Sequence, residues 1–214
     1  MNRRVILLHG LWMPGASMQW FASKLTAAGF APEIFAYHGV TDAPDTAVQR
    51  LAARLDEADA DIVAHSLGGL IALQAVCESK YRPGRRVVCL GSPLNGSGAV
   101  SGILRWGPAA AMFGRSATLL QQGVHCWEGG ADVGVIAGRV PHGLGALFAG
   151  FDGEHDGTVA VTETRLSGIT DHIVIDASHS GLLFSLDAEA QTIAFLQGGQ
   201  FLPSPSCPPE PSAA

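Results

Sequence analysis

Ala64-His65-Ser66-Leu67-Gly68-Gly69 follows the apolar pair Ile62-Val63 and opens onto Leu70-Ile71-Ala72-Leu73-Gln74-Ala75. An apolar strand that passes into a helix with almost no connection forces a sharp turn. A serine in that turn is lifted above the sheet edge. The small residues two before and two after it, Ala64 and Gly68, let neighbouring backbone approach without collision. The helix directs its positive N-terminal end toward the hydroxyl, where an oxyanion would form. The usual pattern is Gly-x-Ser-x-Gly, and Ala64 is the smallest departure from it. The plain alternative is that Ser66 only caps a helix.

Outward from this turn, short apolar runs alternate with stretches of helical spacing. Strands are expected over residues 4–9, 32–37, 61–65, 86–90, 133–137 and 172–177. Most are nearly continuous in Val, Ile, Leu and Ala, as in strands covered on both faces. Helices are expected over residues 17–28, 45–57, 67–78 and 185–196. In the second of these Val48, Leu51, Ala52 and Leu55 make one stripe, with Arg50 and Arg54 outward. This alternation predicts an α/β domain over residues 1–200, a mostly parallel sheet of about six strands with helices on both faces. Residues 91–130, Gly-rich with Trp106, Met112, Phe113 and Trp127, are either a small cap or a long connection packing its aromatics inward. Residues 201–214, rich in Pro and Ser, read as a disordered tail.

A serine hydroxyl is a weak nucleophile without a base, and in this kind of fold the chain order is Ser, then an acid, then His. His179, in Ala177-Ser178-His179-Ser180-Gly181, follows the last strand, where ligands gather in open α/β sheets. Between the two lies Phe151-Asp152-Gly153-Glu154-His155-Asp156-Gly157-Thr158-Val159. Asp156 is the expected acid, because Asp-Gly-Thr-Val makes a tight turn into an extended segment; Asp152 and Glu154 are its rivals. The acid would hold the imidazole in one tautomer and stabilise the imidazolium. The first strand ends in His9-Gly10-Leu11-Trp12. The amides of Leu11 and Leu67 are the expected oxyanion donors. Gly10 would allow close approach, while His9 pins the loop and His65 packs. Trp12 and Met13, with residues 98–113, would line the acyl pocket.

Taken in order, His9-Gly10, the Ala64–Gly69 elbow, Asp156-Gly157-Thr158-Val159 and Ser178-His179-Ser180-Gly181-Leu182-Leu183 resemble the small bacterial lipases and esterases of the α/β-hydrolase superfamily. Those minimal lipases also begin the elbow with Ala. Gly91-Ser92-Pro93-Leu94-Asn95-Gly96-Ser97 is similar to a Gly-[Ser/Thr]-Pro-x-x-Gly-Ser stretch found after the next strand in many lipases. The resemblance runs to about residue 196. It implies a reduced α/β-hydrolase fold without the first two strands of larger relatives, and hydrolysis of a carboxylic ester through an acyl-enzyme.

The bulk composition limits the other readings. A formal net charge of −6 offers no basic stripe for nucleic acid. The four cysteines show neither C-x-x-C pairing nor a disulfide framework, and Cys77 and Cys89 read as buried thiols. No apolar run approaches the roughly 18 residues of a membrane span. The four apolar residues after Arg4 are too few for a signal peptide, which suggests a core strand in a cytoplasmic protein. No metal or organic cofactor is expected. The partner would be a small-molecule or lipid ester; oligomeric state is not legible. Acyl transfer to an alcohol or amine, thioester cleavage, and a non-catalytic binding protein on the same scaffold are the competing functions.

Overall fold

A computed structural model describes residues 2–80, 84–98, 100, 113–124, 126–142 and 153–203. Its six strands are β1 (Arg4–Leu8), β2 (Ala31–Phe35), β3 (Asp61–His65), β4 (Arg86–Leu90), β5 (Asp132–Gly138) and β6 (Asp171–Ile175). All neighbours pair in parallel in the order β2-β1-β3-β4-β5-β6. The helices are α1 (Gln19–Ala27), α2 (Pro44–Glu57), α3 (Leu67–Glu78), α4 (Ala117–Gln122) and α5 (Leu186–Gly198).

Successive strand residues point to opposite faces, and this splits the core in two. On one face Ile6, Leu8, Ile62, Ala64, Val87, Cys89, Val133 and Val135 pack with the buried stripes of α2 and α3. On the other, Val5, Leu7, Val63, Val88, Leu90 and Ile136 meet Phe21 and Leu25 of α1 and Phe195 and Leu196 of α5. Because both faces are covered, all five residues of β3 are buried. Here the apolar runs without alternation mark a central parallel strand.

The helices follow their local signals. Pro44 occupies the first turn of α2, and Val48, Leu51, Ala52 and Leu55 are buried while Arg50 and Arg54 are exposed. Ser185 caps α5, its Oγ accepting from the Ala188 amide at 3.2 Å. Residues 17 and 18, expected within the first helix, instead belong to a short 3-10 turn, Gly15–Met18, before α1. Cys89 is buried, but Cys77 is exposed, contrary to expectation. Gln74, Cys77 and Glu78 stand three and four residues apart, on the side of α3 that is less buried than its core face.

Phe113 and Trp127 pack into the first core cluster, and the Trp127 Nε1–H donates to the Ala131 carbonyl at 3.0 Å. Trp106 and Met112 lie outside the described residues. Two residues assigned to the tail are held in place. Phe201 packs at a tilt against Phe195 with ring centroids 4.9 Å apart, and its amide donates to Asp171 Oδ2. The Leu202 amide donates to Gln191 Oε1 at 2.7 Å. Residues 204–214 lie outside those described.

The chain leaves β1 toward β2 on one side and returns to β3 on the other. The gap between β1 and β3 is therefore the topological switch point, where open α/β sheets form a crevice at their carboxyl edge.

Candidate active site

The carboxyl ends of all six strands lie along this edge. Ser66, immediately after β3, holds φ +55° and ψ −122°, and its amide donates to the Leu90 carbonyl at 2.9 Å. That backbone is open to a non-glycine residue only when its surroundings impose it. The imposition is visible on both sides. A Cβ at Gly68 would stand 2.9 Å from the His9 carbonyl oxygen and from Leu8 Cβ, and one at Gly10 would stand 3.0 Å from Ser66 Cβ. Helix α3 and the loop after β1 thus close on the turn as far as glycine allows.

Asp156 and His179 come from the loops after β5 and β6. Asp156 Oδ2 lies 2.7 Å from His179 Nδ1, with the Asp156 side chain buried. Its other oxygen, Oδ1, accepts from the amides of Thr158 at 2.9 Å and Val159 at 2.7 Å. The Asp-Gly-Thr-Val turn therefore fixes the carboxylate by one oxygen and leaves the other to the imidazole. The two residues are joined a second time, the His179 amide donating to the Asp156 carbonyl at 2.9 Å. Glu154 instead faces Arg139, at 3.8 Å, and is largely exposed. Asp152 lies outside the described residues.

His65 links this pair to the serine turn. Its ring is 4.7 Å from that of His179, and its Nε2 is 3.0 Å from the His179 carbonyl oxygen. Burial, reinforced by the neighbouring His179, pushes the His65 pKa down to about 3.

The proposed oxyanion segment is held from below. His9 stacks on Tyr37 with ring centroids 4.3 Å apart, and its Nε2 lies 3.1 Å from the Tyr37 carbonyl oxygen. The Tyr37 hydroxyl donates back to the His9 carbonyl, and burial raises its pKa. A Cβ at Gly39 would stand 3.2 Å from both Leu11 Cδ1 and Leu67 Cδ2, so both side chains press on this glycine. Leu67 opens α3, where the first amides have no intrahelical acceptor. Trp12 takes φ +59°, is 58% exposed and has its ring 5.3 Å from that of Phe113. Met13 is partly buried against the second core cluster.

Two contributors were not assigned to the site from sequence. One is Tyr37, whose clamp on His9 needs β1 and β2 side by side. The other is Gly91, at φ +55°, where a Cβ would stand 3.1 Å from Asp156 Oδ2 and 3.2 Å from His179 Nδ1. A glycine ending the apolar run of β4 was the signal available for it. Among the described residues no group of three or more His, Cys, Asp or Glu could hold a metal ion. Nor, among them, is any helix long and apolar enough to cross a membrane.

A parallel six-stranded sheet, helices on both faces and a strained serine between strand and helix define the class. The chain matches the model of the alpha/beta hydrolase family over residues 5–165 and belongs to that family. No curated protein matches it in sequence. Among solved structures it is similar to the lipase BlEst2 of Bacillus licheniformis in its propeptide form, at 21% identity and a TM-score of 0.69. That match covers 85% of this chain and 47% of the lipase, so the chain spans about half its length. The lin2722 product of Listeria innocua matches at 18% identity and 0.58, covering 92% of this chain and 95% of the other. The methylesterase MES16 of Arabidopsis matches at 13% and 0.57, covering 91% and 97%. At these identities the likeness is one of fold.

Proposed function

We propose that the chain is a serine hydrolase that cleaves a carboxylic ester through an acyl-enzyme on Ser66. The observation that carries this reading is the buried 2.7 Å bond between Asp156 and His179, linked through His65 to a serine held at positive φ. With His179 Nδ1–H donating to Asp156, the lone pair on Nε2 is free to act as base.

In the proposed reaction Ser66 Oγ attacks the ester carbonyl while its proton passes to His179 Nε2. The carbonyl π pair moves to oxygen, and the oxyanion is held by the amides of Leu11 and Leu67. Collapse breaks the bond to the alkoxide, which takes the proton from His179 and leaves as the alcohol. Water, deprotonated by His179, then attacks the acyl-enzyme, and collapse breaks the bond to Ser66 Oγ, which takes the proton back from His179 as the acid leaves. Asp156 stabilises the imidazolium in both halves. No cofactor enters these steps. The Trp12–Phe113 pair offers an apolar wall for the ester's hydrocarbon part, and Met13 flanks the same loop.

Turnover of p-nitrophenyl esters across acyl lengths, with Ser66→Ala beside wild type, tests the reading. Wild type is expected to turn over and to be labelled at Ser66 by an organophosphonate, and the variant to fall to background. A wild type that neither turns over nor labels would sink the proposal. With an alcohol added as acceptor, free acid as the sole product marks a hydrolase, and a new ester marks acyl transfer.

A further inference from the structure

His65 takes no part in the proposed chemistry, yet it is the most enclosed ionisable group beside it. Its side chain is wholly buried, and its Nε2 lies 3.0 Å from the His179 carbonyl oxygen. A carbonyl only accepts, so Nε2 carries the hydrogen. Nδ1 is then bare, and it is buried without a hydrogen-bond partner. An orphaned buried nitrogen is a cost that a leucine or phenylalanine in the same space would not incur. What the imidazole adds over an apolar side chain is the single bond to His179.

That bond completes a frame. The His179 peptide is held at its N–H by the Asp156 carbonyl and at its carbonyl by His65. On its other side the His65 ring is closed in by the loop after β1, since a Cβ at Gly10 would stand 2.9 Å from Nδ1. The ring cannot swing away without displacing that loop. His65 precedes Ser66 directly, so the bond ties the residue before the serine to the histidine expected to deprotonate it. The depressed basicity of the ring keeps it neutral beside an imidazolium that forms in each half-reaction.

We propose that His65 is a positioning residue, its Nε2–H clamping the His179 carbonyl so that the base stays in register with Ser66. This rests on the proposed roles of Ser66 and His179. A displacement of catalytic groups on the ångström scale can cost about a hundredfold in rate. The clamp therefore predicts a fall in kcat of about 10- to 100-fold for His65→Leu, with KM changed less than about twofold. His65→Gln, which restores an N–H of similar reach, is expected to recover most of the loss.

Two further measurements do not depend on catalysis. Long-range 1H–15N spectra of the wild-type imidazoles are expected to show His65 protonated at Nε2 and bare at Nδ1 between pH 6 and 9. The amides around residues 178–182 are expected to exchange roughly fivefold faster in His65→Leu than in wild type or His65→Gln, the worth of about one net hydrogen bond. A His65 protonated at Nδ1 instead would overturn the proposal, as would His65→Gln matching His65→Leu in both rate and exchange. If His65→Leu does not fold, the spectra and His65→Gln decide. Should wild type neither turn over nor label, the hydrolase reading fails alone, and tautomer and exchange still judge the clamp.

Discussion

Ser66 sits at φ +55°, ψ −122°, a region that costs a residue bearing a Cβ about 1–3 kcal/mol. Ser66→Ala keeps that Cβ and its strain, whereas Ser66→Gly releases it. Urea denaturation is therefore expected to find Ser66→Gly about 1 kcal/mol more stable than Ser66→Ala, with both inactive. Gly91→Ala runs the other way. Its new methyl would enter left-handed backbone and stand 2.8 Å from Leu182 Cδ1, 3.1 Å from Asp156 Oδ2 and 3.2 Å from His179 Nδ1. A stability loss of about 1–3 kcal/mol is expected, with kcat reduced more than KM is raised, because the crowding falls on the acid–base pair. An unchanged kcat in a folded Gly91→Ala protein would remove Gly91 from the site.

At the scale of elements, β6 carries a histidine that sets part of the acid sensitivity. Burial lowers the His172 pKa to about 4, and its Nε2 lies 2.8 Å from Thr164 Oγ1. The unfolded chain binds this proton near pH 6.5, so the contribution is full above that pH and is lost as pH falls toward 4. His65 adds a loss of the same sign, down to about pH 3. Asp61, at the start of β3, acts oppositely. Burial raises its pKa to about 6, so its contribution is present below about pH 4 and is lost as pH rises through 6. Urea midpoints measured from pH 7 to 4.5 are expected to fall, and less steeply in His172→Leu; equal slopes would show that His172 is not buried neutral. The element order itself was legible in the sequence, because strands covered on both faces are apolar throughout and helices such as α2 carry one stripe. Strand ends were not. The apolar character runs past Leu8 and Phe35 into His9 and Tyr37, which are buried to hold a loop rather than to extend a ladder. The pairing of Asp156 with His179 was foreshadowed by order along the chain. Tyr37 and the bond from His65 to His179 depend on which strand ends are neighbours, and no local pattern reports that; for Gly91 the pattern marked the end of a strand but not its neighbours.

Across the described residues, two cores lie on either side of one sheet, and Phe201, beyond α5, packs against the second. Phe201 packs on Phe195, and a Cβ at Gly134 of β5 would meet its ring at 2.8 Å. Phe201→Ala is expected to cost about 1–3 kcal/mol, read from the denaturation midpoint, with little change in KM. A loss below about 0.5 kcal/mol would mean that Phe201 seals nothing. The same architecture sets a timetable. His65 and His179 touch across 114 positions of sequence, and β6 joins the sheet at its far edge, beside β5. During synthesis the serine turn leaves the ribosome before the proposed base and the helix that follows it. A nascent chain halted before His179 carries the proposed nucleophile without its partner, so the proposed esterase stays silent in the cell until His179 has been made.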